Sequence, residues 1–214
     1  MIKWNVFYGT MFLTAMTLSG CQSLLLPKPA DASHIYRLSN SSNDTNTASI
    51  DRTQDAFTIR IDRPNAPKAL QGNDLLVVKE DTQLAIVDKA EWADSLPTMI
   101  QRSLLSEMNG RAKLIGVLPT SGARAQYRAH ITIRNFEAKF DRGEDQAPLI
   151  VVDYLVTLSN ASSRKLIGTQ SFRTDNRATS NRVSDIVRTK SGANQQNLEK
   201  ISDWLIVTLS SQRS

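Results

Sequence analysis

Leu149-Ile150-Val151-Val152-Asp153-Tyr154-Leu155-Val156-Thr157-Leu158 is the stretch that decides the fold. It is nearly all apolar and rich in β-branched valine, the pattern of a strand covered on both faces at the centre of a sheet. Upstream, Tyr127, Ala129, Ile131 and Ile133 alternate with polar residues, and the apolar parity then moves to Phe136, Ala138 and Phe140. One extra residue exchanges the two faces of a strand, so the shift predicts a bulge near Asn135. Downstream, Asn160-Ala161-Ser162-Ser163 turns the chain, and Leu166 to Thr174 runs back.

The first half carries the same signals. Ile35-Tyr36-Arg37-Leu38 reads as a short strand, and the Ser/Asn-rich segment Ser39 to Gln54 as a flexible loop. Ala56 to Ile61 alternates, with Phe57, Ile59 and Ile61 on one face, until Pro64 and Pro67 break it. Gly72-Asn73-Asp74 turns into Leu75-Leu76-Val77-Val78, and Glu80-Asp81-Thr82 turns again into Leu84 to Val87, which predicts a hairpin. Trp92, Leu96, Met99, Ile100, Leu104 and Met108 recur at helical spacing, with Asp94 as N-cap, Pro97 in the first turn and Asn109-Gly110 as a left-handed stop. Lys113 to Leu118 is a further short strand. Asp175 to Ser191 reads as a polar loop with a short helical piece around Val183 to Arg188. Gln195 to Leu209 closes the chain as an amphipathic helix, with Leu198, Ile201, Leu205 and Leu209 on one stripe. The order is four strands and a helix, twice. It predicts an α+β fold: one mixed, largely antiparallel sheet with two main helices packed on one face.

Several function classes fall away. Cys21 is the sole cysteine, and the two histidines, His34 and His130, lie far apart. No metal-ligand spacing, nucleophile elbow or phosphate-binding glycine loop occurs, so neither a metal nor another cofactor is expected. Asp88, Glu91 and Asp94 cluster before the first helix. Paired carboxylates suit acid–base work, but carboxylates beside a helix N-terminus are favoured by its dipole in any case, and no catalytic residue is assigned. Trp92, Trp204 and Tyr154 read as core residues. Basic residues gather between Ala161 and Ala193, the pattern either of a solvated polar loop or of a stretch that attracts lipid-headgroup phosphates, and no nucleic-acid partner is expected. The outward row Arg128, His130, Thr132 and Arg134 is either a plain solvent face or a ridge for an acidic partner. Arg128, His130 and Arg134 are the candidate partner-facing residues.

The N-terminus has the parts of an export signal: Lys3, an apolar run from Trp4 to Leu18, then Leu18-Ser19-Gly20-Cys21. At 1.5 Å per residue the run makes roughly 22 Å of helix, short of the ~30 Å hydrocarbon core. The tetrapeptide resembles the bacterial lipobox. That resemblance implies cleavage between Gly20 and Cys21 and acylation of Cys21, giving a signal peptide over 1–20, an acylated tether over 21–34 and one domain over 35–211. Gln22 stands where Asp would mark inner-membrane retention, so sorting to the outer membrane, on its periplasmic face, is implied.

The mature segment resembles the ABC-type transport auxiliary lipoproteins, the PqiC (YmbA) type. The likeness is carried by Tyr36-x-Leu38, by Ile59-x-Ile61-x-x-Pro64-x-x-Pro67-x-x-Leu70, by Leu75-Leu76-Val77 and by Ala90-Glu91-Trp92-Ala93-Asp94-Ser95-Leu96-Pro97-x-Met99-Ile100. The insert from Asn40 to Gln54 and the Gly72-Asn73 turn depart from the family pattern. The resemblance implies a non-enzymatic part in intermembrane lipid transport, as a docking or scaffold lipoprotein. The implied partners are an MCE-domain protein, further copies of the chain, and the membrane through the acyl chains. The alternative is an assembly lipoprotein of another envelope machine, of the lipopolysaccharide-insertion type.

Overall fold

The structure, a computed structural model, describes residues 32–39, 55–80 and 82–213. Gly20, Cys21 and most of the expected loop 39–54 lie outside them. Among the described residues the element order is β1 (His34–Tyr36), β2 (Phe57–Ile61), β3 (Asp74–Lys79), β4 (Gln83–Trp92), α1 (Leu96–Asn109), β5 (Leu114–Val117), β6 (Tyr127–Lys139), β7 (Leu149–Asn160), β8 (Leu166–Arg177) and α2 (Val183–Ser211). This is the expected order of eight strands and two helices.

The eight strands form one mixed sheet that forks. β8, β7 and β6 make an antiparallel ribbon, with β7 paired along both edges. Beyond β6 the sheet divides. The start of β6 pairs in parallel with β2, which pairs in turn with β5. The end of β6 meets β3 at a single parallel pair, Val78 with Lys139. β4 and β1 follow β3 outward, β4 antiparallel to β3 and β1 parallel to β4. The long seams are antiparallel and the parallel ones are short.

β6 has to bend to serve both branches, and the bulge permits it. Ile133 faces Tyr154 and Asn135 faces Asp153, so Arg134 is the extra residue. Ala129, Ile131 and Ile133 before the bulge, and Phe136 and Ala138 after it, are all buried on the helix side. The parity change in the sequence is thus the bulge itself.

Both helices pack on that side and touch each other. α1 lies over β5. The Asn109 side chain pairs with the β5 backbone, its Oδ1 accepting from Gly116 N–H at 3.0 Å and its Nδ2 donating to Gly116 O at 3.3 Å. A Cβ at Gly116 would sit 3.0 Å from the Leu105 side chain and 3.2 Å from that of Ile61, so a larger residue there would push these side chains aside. α2 lies over β6, β7 and β8, and Gln195 ties it to α1 by donating to Glu107 at 3.0 Å.

Four expectations about the helices need correction. Trp92 ends β4 rather than opening α1; it is buried and edge-on to Phe136. The residue at the N-cap is Ser95, and Asp94 instead accepts its N–H at 2.7 Å. Gly110 ends α1 in the right-handed region (φ −78°), so it is not a left-handed cap. The polar segment before Gln195 is not a loop. β8 runs on to Arg177, and α2 is continuous from Val183 for 29 residues.

That last difference has a physical cause. Lys190, Ser191, Asn194, Asn197 and Ser202 are buried on the sheet-facing side of α2. Most of them bond to the sheet. Asn197 Nδ2 donates to Val152 O at 3.0 Å and to Phe172 O at 3.2 Å, while its Oδ1 accepts from Thr174 Oγ1 at 2.7 Å. Tyr154 Oη donates to Asn194 Oδ1 at 2.7 Å. Polar residues that find partners in this way are tolerated inside a core, but they erase the apolar stripe by which a buried helix is read.

Candidate functional site

The face of the sheet opposite the helices carries the polar row foreseen on β6. Because Ala129, Ile131 and Ile133 point to the helices, Arg128, His130 and Thr132 point the other way. Strand pairing then adds residues from far away in sequence. Arg60 on β2 is in register with Arg128, two guanidiniums on neighbouring strands. Asp62 lies between them and pairs with both: its Oδ1 is 3.3 Å from Arg60 Nε, and its Oδ2 accepts from Arg128 Nε. Like charges side by side on a sheet repel, and the shared carboxylate offsets that repulsion.

His130 is held from the loop after β2. Asn65 Nδ2 donates to its Nε2 at 3.1 Å. With Nε2 accepting, the ring hydrogen of a neutral imidazole sits on Nδ1. Asn65 is itself fixed by backbone bonds to Ile131 O (2.9 Å) and from Ile133 N (2.8 Å).

At this end of β6 and β7 the face sinks into a depression of about 760 Å³ lined by Arg60, Arg128, His130, Thr157, Ser159 and Arg164, with Leu166 on the rim. Arg164 sits in the β7–β8 turn with φ +60°, a left-handed conformation that costs a non-glycine residue strain. Asn160 stabilises the turn, its Oδ1 accepting the N–H groups of Ser162 and Ser163 at 3.0 and 2.9 Å.

Arg134 belongs to a separate group. At the bulge it donates to Asp153 Oδ1 at 2.7 Å and to Ser171 Oγ at 2.9 Å. Arg173 lies 4.0 Å from Asp153 and donates to Asp175 at 3.0 Å. Here two arginines meet two carboxylates, and the group is balanced. Of the three candidate residues, the structure therefore brings Arg128 and His130 together and leaves Arg134 apart.

Sequence reasoning missed Arg60, Asp62 and Arg164. Alternation in β2 already set Arg60 and Asp62 opposite the apolar face. Only the placement of β2 beside β6 brings them to Arg128. The basic residues between Ala161 and Ala193 do not form one patch: Arg177 is paired with Asp141, Arg188 with Asp185, and Lys190 is buried. The Arg177 bond holds the Asp141 carboxyl below its usual range, and the Ser180 hydroxyl with Arg188 does the same for Asp185.

Asp88, Glu91 and Asp94 do not converge. Asp88 is exposed on β4, Glu91 accepts from Asn73 at 3.1 Å, and Asp94 pairs with Arg102 at 3.0 Å. Among the described residues no three His, Cys, Asp or Glu side chains come together to hold a metal. No helix among them is long and apolar enough to cross a membrane.

The Pro64-x-x-Pro67 and Trp92-to-Pro97 segments meet in the fold. Trp92 N–H donates to Asn73 O at 2.7 Å, Leu96 N–H to Gly72 O at 3.1 Å, and Arg63 to Ser95 Oγ at 3.0 Å. Pro64, Asn65, Ala66 and Pro97 line a hollow of about 250 Å³ there. These segments are the hinge of the fork, where the chain leaves the β2 branch for the β3 branch.

Forked sheet, paired helices and open polar face define an α+β module within residues 33–214. The chain belongs to the ABC-type transport auxiliary lipoprotein family, whose model matches residues 36–202. That family is one of transport auxiliary lipoproteins and not a known enzyme family. Among solved structures, a Xanthomonas campestris protein of family DUF330 shares the fold with a TM-score of 0.73 at 15% identity, over 85% of this chain and 99% of that one. A second, uncharacterised protein matches with a TM-score of 0.63 at 15% identity, over 82% of this chain and 99% of that one. No curated protein matches the sequence.

Proposed function

We propose that the chain is exported, cleaved between Gly20 and Cys21, acylated on Cys21, and held at the periplasmic face of the outer membrane. There it serves as a non-catalytic docking lipoprotein of an MCE/ABC-type intermembrane lipid transporter. The match of the transport auxiliary family over residues 36–202 carries the reading, and Leu18-Ser19-Gly20-Cys21 supports the anchor. One acyl chain holds a protein to a bilayer only marginally; the two or three of a lipobox product make the attachment lasting. Self-association is part of the reading. Leu84 and Ile86, alternate residues of β4, are 51 and 62% exposed. An exposed apolar pair on a strand suits contact with a second copy.

Crosslinking in cells, followed by purification of the chain, is expected to recover an MCE-domain protein. Recovery of an outer-membrane barrel and no MCE protein would move the assignment to the lipopolysaccharide-insertion type of assembly lipoprotein. Cys21→Ser is expected to leave unprocessed precursor in the inner membrane, and an intact mass without acyl groups on the wild-type product would remove the anchor from the proposal.

A further inference from the structure

The depression at the β6–β7 end carries a charge that its described neighbours do not balance. Arg60, Arg128 and Arg164 line it, against the single carboxylate of Asp62 beside them. The network around Arg134 shows what a settled arrangement looks like on the same face, each guanidinium meeting its own carboxylate. Arg60 Nε is buried without a hydrogen bond, since its approach to Asp62 is too poorly aligned to make one. Thr157 and Ser159, alternate residues of one strand, line the same depression. Neither hydroxyl has a partner among the described residues. His130 lines it as well. The surroundings are therefore rich in donors and poor in acceptors.

We propose that this depression binds a phosphate-bearing anion, a phosphomonoester or phosphodiester. Guanidiniums present paired N–H groups that fit the oxygens of phosphate, and charge-assisted bonds of this kind are the strong ones. The volume falls in the ~300–1,000 Å³ range of small-molecule sites, so it takes the phosphate together with a glycerol or similar alcohol. The shape separates this ligand from an acidic protein segment. An extended peptide needs a long track, whereas these side chains line a single depression. The proposal is independent of the docking role and stands or falls on the arginines alone.

The test uses the full chain in non-ionic detergent, titrated calorimetrically with glycerol phosphate and, separately, with phosphatidylglycerol or phosphatidylcholine in mixed micelles. Saturable binding of the phosphate esters is expected. Arg128→Gln and Arg164→Gln should each weaken it tenfold or more, the loss of one charge-assisted bond. Arg164 lies in an exposed turn and leaves the Asp62 pairing untouched, so it serves if Arg128→Gln unfolds the chain. Arg142→Gln removes the same charge at the opposite end of β6 and should change nothing. Tighter binding of the lipids than of glycerol phosphate assigns the site to headgroups, and equal binding assigns it to free phosphate esters; either upholds the proposal. It is overturned if no saturable binding occurs, if Arg142→Gln weakens binding as much as the other two, or if an oligoglutamate peptide binds where phosphate does not.

Discussion

Lys190 offers the sharpest test of how the forked sheet is held. Its side chain leaves α2 and is fully buried, with Nζ donating to Leu76 O on β3 at 2.9 Å and to Phe136 O on β6 at 3.4 Å. The Phe136 and Trp92 rings lie 5.5 and 5.9 Å from the ammonium. β3 and β6 pair at only one position, so this side chain joins the strands where their ladder has parted. Burial pushes its pKa down from 10.5 to about 7, partly opposed by the Glu137 carboxylate. Between those values the unfolded chain holds a proton that the folded chain has released, so stability rises with pH. Below about pH 7 both states are protonated, and the contribution is flat. With these two pKa values the gain from pH 7 to pH 9 is about 2 kcal/mol. Lys190→Met keeps the stem, removes the titration and leaves two carbonyls without their donor. Urea denaturation of both proteins at the two pH values isolates the group, because every other titration cancels in the difference. The deficit of Lys190→Met relative to wild type should be about 2 kcal/mol larger at pH 9 than at pH 7. Parallel stability curves would refute the reasoning, since an ammonium that stays charged in the folded state at pH 9 is not desolvated as described.

Two further perturbations read the core and the bulge. Tyr154→Phe preserves the ring and strands Asn194 Oδ1 in the core; it should cost about 1–3 kcal/mol, seen as a lower urea midpoint at unchanged slope. Deletion of Arg134 removes the residue that resets the parity of β6. It should leave Phe136 and Ala138 on the helix side but straighten β6 where the sheet forks and remove the bonds to Asp153 and Ser171, lowering the midpoint of a thermal melt; an unchanged midpoint would show that the bulge is dispensable.

The sequence by itself determined the class and order of the elements, because each rests on local periodicity. Alternation gave β2 and β6, unbroken apolar length gave β7, and the change of parity gave a bulge near Asn135, which the strand register puts at Arg134. The same locality explains where it failed. Trp92 fits a helical spacing with Leu96 and Met99, yet β-pairing with β1 and β3 claims it for β4. The first turns of α2 carry Lys190, Ser191 and Asn194, whose polarity signals solvent until strand carbonyls and the Tyr154 hydroxyl are in place to bond them. Strand order was out of reach for the same reason. Whether β2 lies beside β6 depends on contacts some seventy residues apart, and only that neighbourhood sets Arg60 and Asp62 against Arg128. The row on β6 was legible as a polar face. Its division into a balanced group at Arg134 and a positively charged bowl at Arg128 was decided by the tertiary structure, since charge balance depends on which carboxylates the fold brings within a few ångströms.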